Sequence, residues 1–264
     1  MRAILPFAWC ARACFDAPER LTTDAPALEV LRAVARLQVV DLSHALHPAM
    51  PYWPGEGYGA FRYSAINVLE RHGKAAGVFE MPEHMGTHVD APTHFVASPE
   101  SIDRIPLKRF VREVVVLDIS SRAASDPGTL LEVADVEVWE SRHGAAPPGC
   151  VVFVHSGWSA RWADADAFRN SMRFPAISPE AAQLLLERGV VGIGVDTLSA
   201  DNGEAQNSPV HRLVHGEGAY ILENLANLDR LPPRGAFVVI APLPIRGGTG
   251  APARVIAFCE REIA

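Results

Sequence analysis

The order of apolar and polar positions changes character near residue 38. Between Ala25 and Leu37, apolar side chains recur at Leu28, Val30, Leu31, Val34 and Leu37 with alanine and arginine between them, a helical rhythm. From Val39 onward the apolar runs are short and rich in β-branched residues. Val39–Ser43 reads as a strand. The loop after it, His47–Gly55, carries three prolines and a glycine that forbid regular structure. Phe61–Leu69 alternates and predicts another strand. Val111–Ile119 contains Val114-Val115-Val116-Leu117 and predicts a buried one. Cys150–His155 follows the turn Pro147-Pro148-Gly149 and reads the same way.

Ser178-Pro179-Glu180 opens a helix, with a serine N-cap, proline at the first helical position and an acid that favours the dipole. It runs to Arg188 and stops at Gly189. Val190–Val195 then predicts a strand ending at Asp196. Ala236–Ala241 is a further strand, Pro242–Pro252 is rich in turn residues, and Ala253–Phe258 closes the chain as a strand. Strands are many and helices few, and no repeat or linker divides residues 39–264. The pattern predicts one compact α/β domain with a mixed sheet over 39–264, preceded by an extension, 1–38, with one helix.

Composition narrows the function. A 264-residue chain with 48% hydrophobic and 21% charged residues belongs with globular proteins. Its net charge of −7 and lack of a basic run argue against nucleic acid, since phosphate binding needs clustered Lys and Arg. No apolar stretch approaches the ~20 residues of a membrane helix. The N-terminus resembles a signal peptide, but Arg12 interrupts its apolar run, and Asp16 and Glu19 follow. Cys10, Cys14, Cys150 and Cys259 include no C-x-x-C pair, and nothing completes a metal half-site at Cys10 and Cys14. Free thiols and a cytoplasmic location are expected.

The candidate chemistry lies in residues 84–94, where His84, His88, His94 and Asp90 crowd into eleven positions. Imidazole and carboxylate are favoured ligands of zinc, manganese and ferrous iron. Gly86, the β-branched Thr87 and Val89, and Pro92 argue against a helix. An extended segment places residues 84, 86, 88, 90, 92 and 94 on one side. A straight strand would hold His84 and Asp90 ~20 Å apart at ~3.3 Å per residue, too far for one ion, so the chain must bend, and Gly86 permits the bend. The bland alternative is a turn whose histidines bond to backbone. Further on, His211 and Glu223 stand twelve residues apart and could complete a second metal site or position a nucleophile. Ser156-Gly157-Trp158 lacks the G-x-S-x-G elbow of a serine hydrolase. The glycine-rich Gly247–Gly250 lacks a phosphate-loop lysine and reads as a tight turn near the site.

His84-x-Gly86-Thr87-His88-x-Asp90-x-Pro92-x-His94 resembles the H-x-G-T-H-x-D-x-P-x-H signature of the cyclase family, which contains bacterial kynurenine formamidases and isatin hydrolases. The resemblance extends over about residues 39–260 and takes in Asp41-Leu42-Ser43, Pro51–Gly55, Val195-Asp196-Thr197 and Gly247–Pro252. It implies a swivelling β/β/α fold and a homodimer or homotetramer. It also implies His84, His88 and Asp90 as ligands of a divalent metal, foremost Zn2+ with Mn2+ as the alternative. In members with two ions, His211 and Glu223 match the residues that complete the second site. His94 matches the proton donor and acceptor, a task that needs a group titrating near neutrality. Trp53, with Phe61 or Trp158, would stack an aromatic small-molecule substrate.

The activity so implied is metal-dependent hydrolysis of a carbon–nitrogen bond, first as in kynurenine formamidase and alternatively as in isatin ring opening. A metal-dependent cyclase or lyase without net hydrolysis and a non-catalytic metal-binding protein are the competing classes.

Overall fold

The computed structural model describes residue 29 and residues 32–55, 57–98 and 100–260. The chain forms two compact units, Met1–Leu37 and Gln38–Ala264. Cys10, Cys14 and six of the thirteen residues of the helix expected over Ala25–Leu37 lie outside the described residues; within that span, residues 29 and 32–34 are helical and 35–37 are not.

The second unit's described strands of three residues or more are β1 (Gln38–Asp41), β2 (Arg62–Asn67), β3 (Ala76–Glu80), β4 (His88–Asp90), β5 (Val111–Asp118), β6 (Val151–His155), β7 (Gly192–Val195), β8 (Tyr220–Glu223), β9 (Ala236–Pro242) and β10 (Gly250–Cys259). The described helices of eight residues or more are α1 (Val133–His143), α2 (Pro179–Glu187) and α3 (Pro209–Gly216). None is long and apolar enough to cross a membrane.

Eight strands make one sheet in the order β1-β10-β9-β5-β6-β7-β8-β4. From β5 to β8 the pairings are parallel, and the remainder are antiparallel. The long β10 gives one edge to β9. Its other edge is shared, Ile256–Cys259 with β1 and Gly250–Pro252 with β4. The sheet thereby closes on itself as a mixed barrel, which removes most free strand edges.

Strand alternation splits the apolar residues between two cores. Val114 and Val116 of β5, Val151 and Phe153 of β6, and Tyr220 and Leu222 of β8 join one cluster. Val115, Leu117, Val152, Val154 and Ile221 point the other way, where Ala181, Ala182 and Leu185 of α2 and Val210 and Val214 of α3 cover them. In β7, Ile193 and Val195 face the helices, while the opposite face carries only glycine. A Cβ on Gly192 would lie 2.3 Å from the Tyr220 ring, and one on Gly194 2.6 Å from the Phe153 ring. Two aromatic rings therefore fill the space that β7 leaves.

Helix α2 follows its sequence signals. Ser178 Oγ accepts the Ala181 N–H at 3.1 Å, proline leads the helix, and Gly189 ends it at φ +80°. Three elements differ from expectation. Helix α1, rich in valine, forms behind a capping box between Glu132 and Asp135. Strand β10 begins at Gly250 rather than Ala253, because Gly250–Pro252 pair with β4 despite their turn-like composition. The strand expected from Phe61 is β2, which pairs only with β3, in an exposed hairpin.

The Gly194→Ala variant forces a methyl group against Phe153 and Leu225. Urea denaturation should show it less stable by about 1–3 kcal/mol, the usual cost of overpacking a filled core.

Candidate metal centre

The bend required between His84 and Asp90 occurs at Gly86, whose φ is +65°. Thr87 locks it in place, donating to the Asn224 carbonyl at 2.6 Å and accepting the His44 N–H at 2.9 Å. Regular strand then lasts only from His88 to Asp90. The expectation that His94 continues the same strand fails: Pro92 starts a 3-10 turn, Pro92–His94, which swings His94 back toward the histidines. On β8, Glu223 pairs in register with His88. His211 sits on α3, and the twelve-residue spacing is the helix plus the turn that returns the chain to β8.

Five of the expected residues meet here. Asp90 Oδ1 lies 2.6 Å from His84 Nδ1 and 3.1 Å from His88 Nε2. Its other oxygen lies 3.3 Å from His211 Nε2, which is 3.1 Å from Glu223 Oε1. Two donor sets result, His84–His88–Asp90 and Asp90–His211–Glu223, and Asp90 belongs to both. The outer nitrogen of each first-set histidine is already engaged. His88 Nδ1 donates to the Gly86 carbonyl at 2.8 Å. His84 Nε2 meets Thr249 Oγ1 at 2.8 Å, and Thr249 donates in turn to Glu83 at 2.7 Å. Because the Thr249 proton is committed to Glu83, His84 must be the donor, which leaves its Nδ1 lone pair for the centre. The Nε2 of His88 is buried 3.1 Å from Asp90 Oδ1 and 3.5 Å from Glu223 Oε2, with neither contact aligned as a hydrogen bond. All-nitrogen-and-oxygen donors, inward lone pairs and a shared buried carboxylate fit divalent cations.

The electrostatics agree. Burial opposes ionisation of Asp90, but His84 and His88 outweigh it and hold the carboxyl well below its usual range. Burial likewise opposes charge on His88, yet Asp90 and Glu223 raise it to about 9. Protons thus compensate the carboxylates where a cation could.

His94 stacks on His84, centroids 3.7 Å apart and planes at 17°, and turns an edge to His211 at 6.3 Å. Burial lowers it to about 4. Burial thus favours its neutral form. Around it opens a cavity of about 230 Å³ whose wall includes Tyr52, Trp53, Tyr58, Phe95, Leu198 and Asn224. Trp53 is where it was expected. Phe61 is not; it is only 7% exposed, packs among Met50, Met85 and Trp158, and stacks on Phe79 outside the cavity wall. Trp158 is core as well, its indole N–H bonded to the Phe168 carbonyl at 2.7 Å. Ser156 is buried outside the cavity wall, its hydroxyl donating to the buried Asp196.

Thr249 and Glu83 escaped the sequence reading, although the Gly247–Gly250 turn pointed to this place. Gly250 has a specific reason to be glycine. A Cβ there would stand 2.5 Å from the His84 ring and 2.6 Å from the Val89 carbonyl.

Residues 40–202 match the Cyclase family model. The chain belongs to the cyclase family. Among its relatives, an isatin hydrolase of Roseibium aggregatum is 36% identical over 191 residues, which is 68% of this chain and 73% of that protein. A kynurenine formamidase of Salinibacter ruber is 28% identical over 222 residues, 83% of this chain and 97% of that protein. The solved isatin hydrolase A of Ralstonia solanacearum superposes with a TM-score of 0.83 at 37% identity, covering 92% of this chain and 100% of that one. Within the cyclase family this chain is a hydrolase, and its two donor sets could hold divalent metal.

Replacing Gly250 by alanine should push His84 off the centre. Metal analysis of the purified Gly250→Ala protein should find substoichiometric metal relative to wild type, with the far-UV spectrum of the sheet retained.

Proposed function

We propose that this hydrolase uses one or two divalent ions to cleave the carbon–nitrogen bond of a small aromatic amide. The observation that carries the reading is the meeting of the His84–His88–Asp90 set with a neutral His94 inside an aromatic-walled cavity. His84, His88 and Asp90 would hold one divalent ion and Asp90, His211 and Glu223 a second, and such ions would supply Lewis acidity toward a carbonyl and lower the pKa of water. Zn2+ is the first candidate and Mn2+ the alternative, since a donor set without sulfur suits both.

The chain's own residues do the rest. His94, neutral at rest, takes the proton from the attacking water. The same imidazole then returns that proton to the departing nitrogen. Trp53 and Tyr52 flank the space for an aromatic ring, and the wall positions the amide within reach of His94.

Ring opening of a cyclic amide such as isatin takes first place. The isatin hydrolase of Roseibium aggregatum is 36% identical and the kynurenine formamidase of Salinibacter ruber 28%. Hydrolysis of a formamide such as N-formylkynurenine is the second reading, favoured by the complete His211–Glu223 pair at 3.1 Å. We further propose a cytoplasmic homodimer or homotetramer.

Metal analysis combined with assays on isatin and N-formylkynurenine tests the proposal. Product mass should exceed substrate mass by one water for isatin, and chelation should abolish turnover. Full activity in metal-free protein, or a product of unchanged mass, would sink it. His94→Ala should lower kcat roughly 10²–10⁴-fold with wild-type metal content; equal loss of both would make His94 a ligand.

A further inference from the structure

We propose that Asp201 is a positioning residue that aims His211 Nε2 at the ion shared with Asp90 and Glu223. The proposal rests on the reading that His211 and Glu223 hold an ion.

Helix α3 starts without a cap of its own. Ser208, at the N-cap position, has φ +46° and makes no side-chain cap bond. The first free N–H groups are taken instead by Asp201, from the loop after β7. Its Oδ1 accepts the Val210 N–H at 2.9 Å, and its Oδ2 accepts the His211 N–H at 3.1 Å. The same Oδ2 lies 2.6 Å from His211 Nδ1. Both residues are buried, at 5% and 4% exposure.

A carboxylate can only accept, so the proton on His211 facing it must sit on Nδ1. The Nε2 lone pair is then left for the ion, between Asp90 Oδ2 and Glu223 Oε1. The backbone bonds to Val210 and His211 fix the carboxylate, and the carboxylate fixes the ring. An ordinary N-cap would satisfy the same helix N–H groups without touching the imidazole. The other two histidines are steadied differently, His88 by a carbonyl and His84 by a hydroxyl. A histidine backed by a carboxylate is both oriented and more basic, which strengthens it as a ligand.

The Asp201→Asn variant keeps the shape but offers one oxygen to three N–H groups, so one donor must face another. In the zinc-loaded full chain, 15N-histidine NMR should show a protonated Nδ1 on His211, assigned by its loss in His211→Gln. Asp201→Asn should lose that signal. Competition with a chromophoric chelator should show the ion that Glu223→Gln removes bound roughly 10–100-fold more weakly in Asp201→Asn, the other ion changing by less than about twofold.

An unchanged Nδ1 signal overturns the proposal, as does equal weakening of both ions, which loss of a mere helix cap would give. If the wild type holds a single ion, the two-ion reading fails, and the Nδ1 signal decides on Asp201. Its loss in Asp201→Asn upholds the proposal, and its persistence overturns it.

Discussion

Asp90 is a carboxylate at 1% exposure whose ion-pair partners, among the described residues, are all histidines. Withdrawing such a charge from water costs several kcal/mol unless opposite charge or donors surround it. Most of the centre can be understood as compensation for that one group. Its first oxygen faces His84 and His88, its second faces His211, and Glu223 adds more negative charge to be balanced beside it. A divalent cation is the compensation that this donor set is shaped to receive.

The closed sheet makes so costly a cluster tolerable. β4 is three residues long, yet it is held on both edges, by β8 and by the start of β10. The first pairing sets Glu223 opposite His88, and the second brings Gly250 and Thr249 against His84. His88, Asp90 and Glu223 thus stand on backbone that the hydrogen-bond ladder has already fixed. Rigidity at the centre follows from closure of the barrel rather than from any strength in β4 itself.

Two histidines six residues apart show how local surroundings divide the labour. Burial penalises a positive charge on His88 and on His94 alike. At His88 the adjacent carboxylates prevail and raise it to about 9; at His94 burial prevails and lowers it to about 4. His94 stacks on a histidine instead of bonding to an acid, so it keeps a free base in the cavity. One residue type is therefore shifted in opposite directions within a single short segment.

The ligand-type residues of 84–94, the need for a bend at Gly86, the pairing of His211 with Glu223 and most buried strands were legible in the sequence. These features are local, because backbone propensity and side-chain chemistry act over a few residues. Phe61 could not be placed that way: an aromatic before a strand serves a core or a cavity equally well, and packing against Met50, Met85 and Trp158 settled it. The roles of Asp201, Thr249 and Glu83 were equally hidden. Thr249 reaches His84 across 165 residues, and Asp201 reaches His211 across ten with a reversal of chain between. The sequence by itself determined which atoms could bind a cation. Only the tertiary structure decided which nitrogen of each histidine faces the centre, because that choice belongs to the partner on the ring's far side, and the fold brings that partner there.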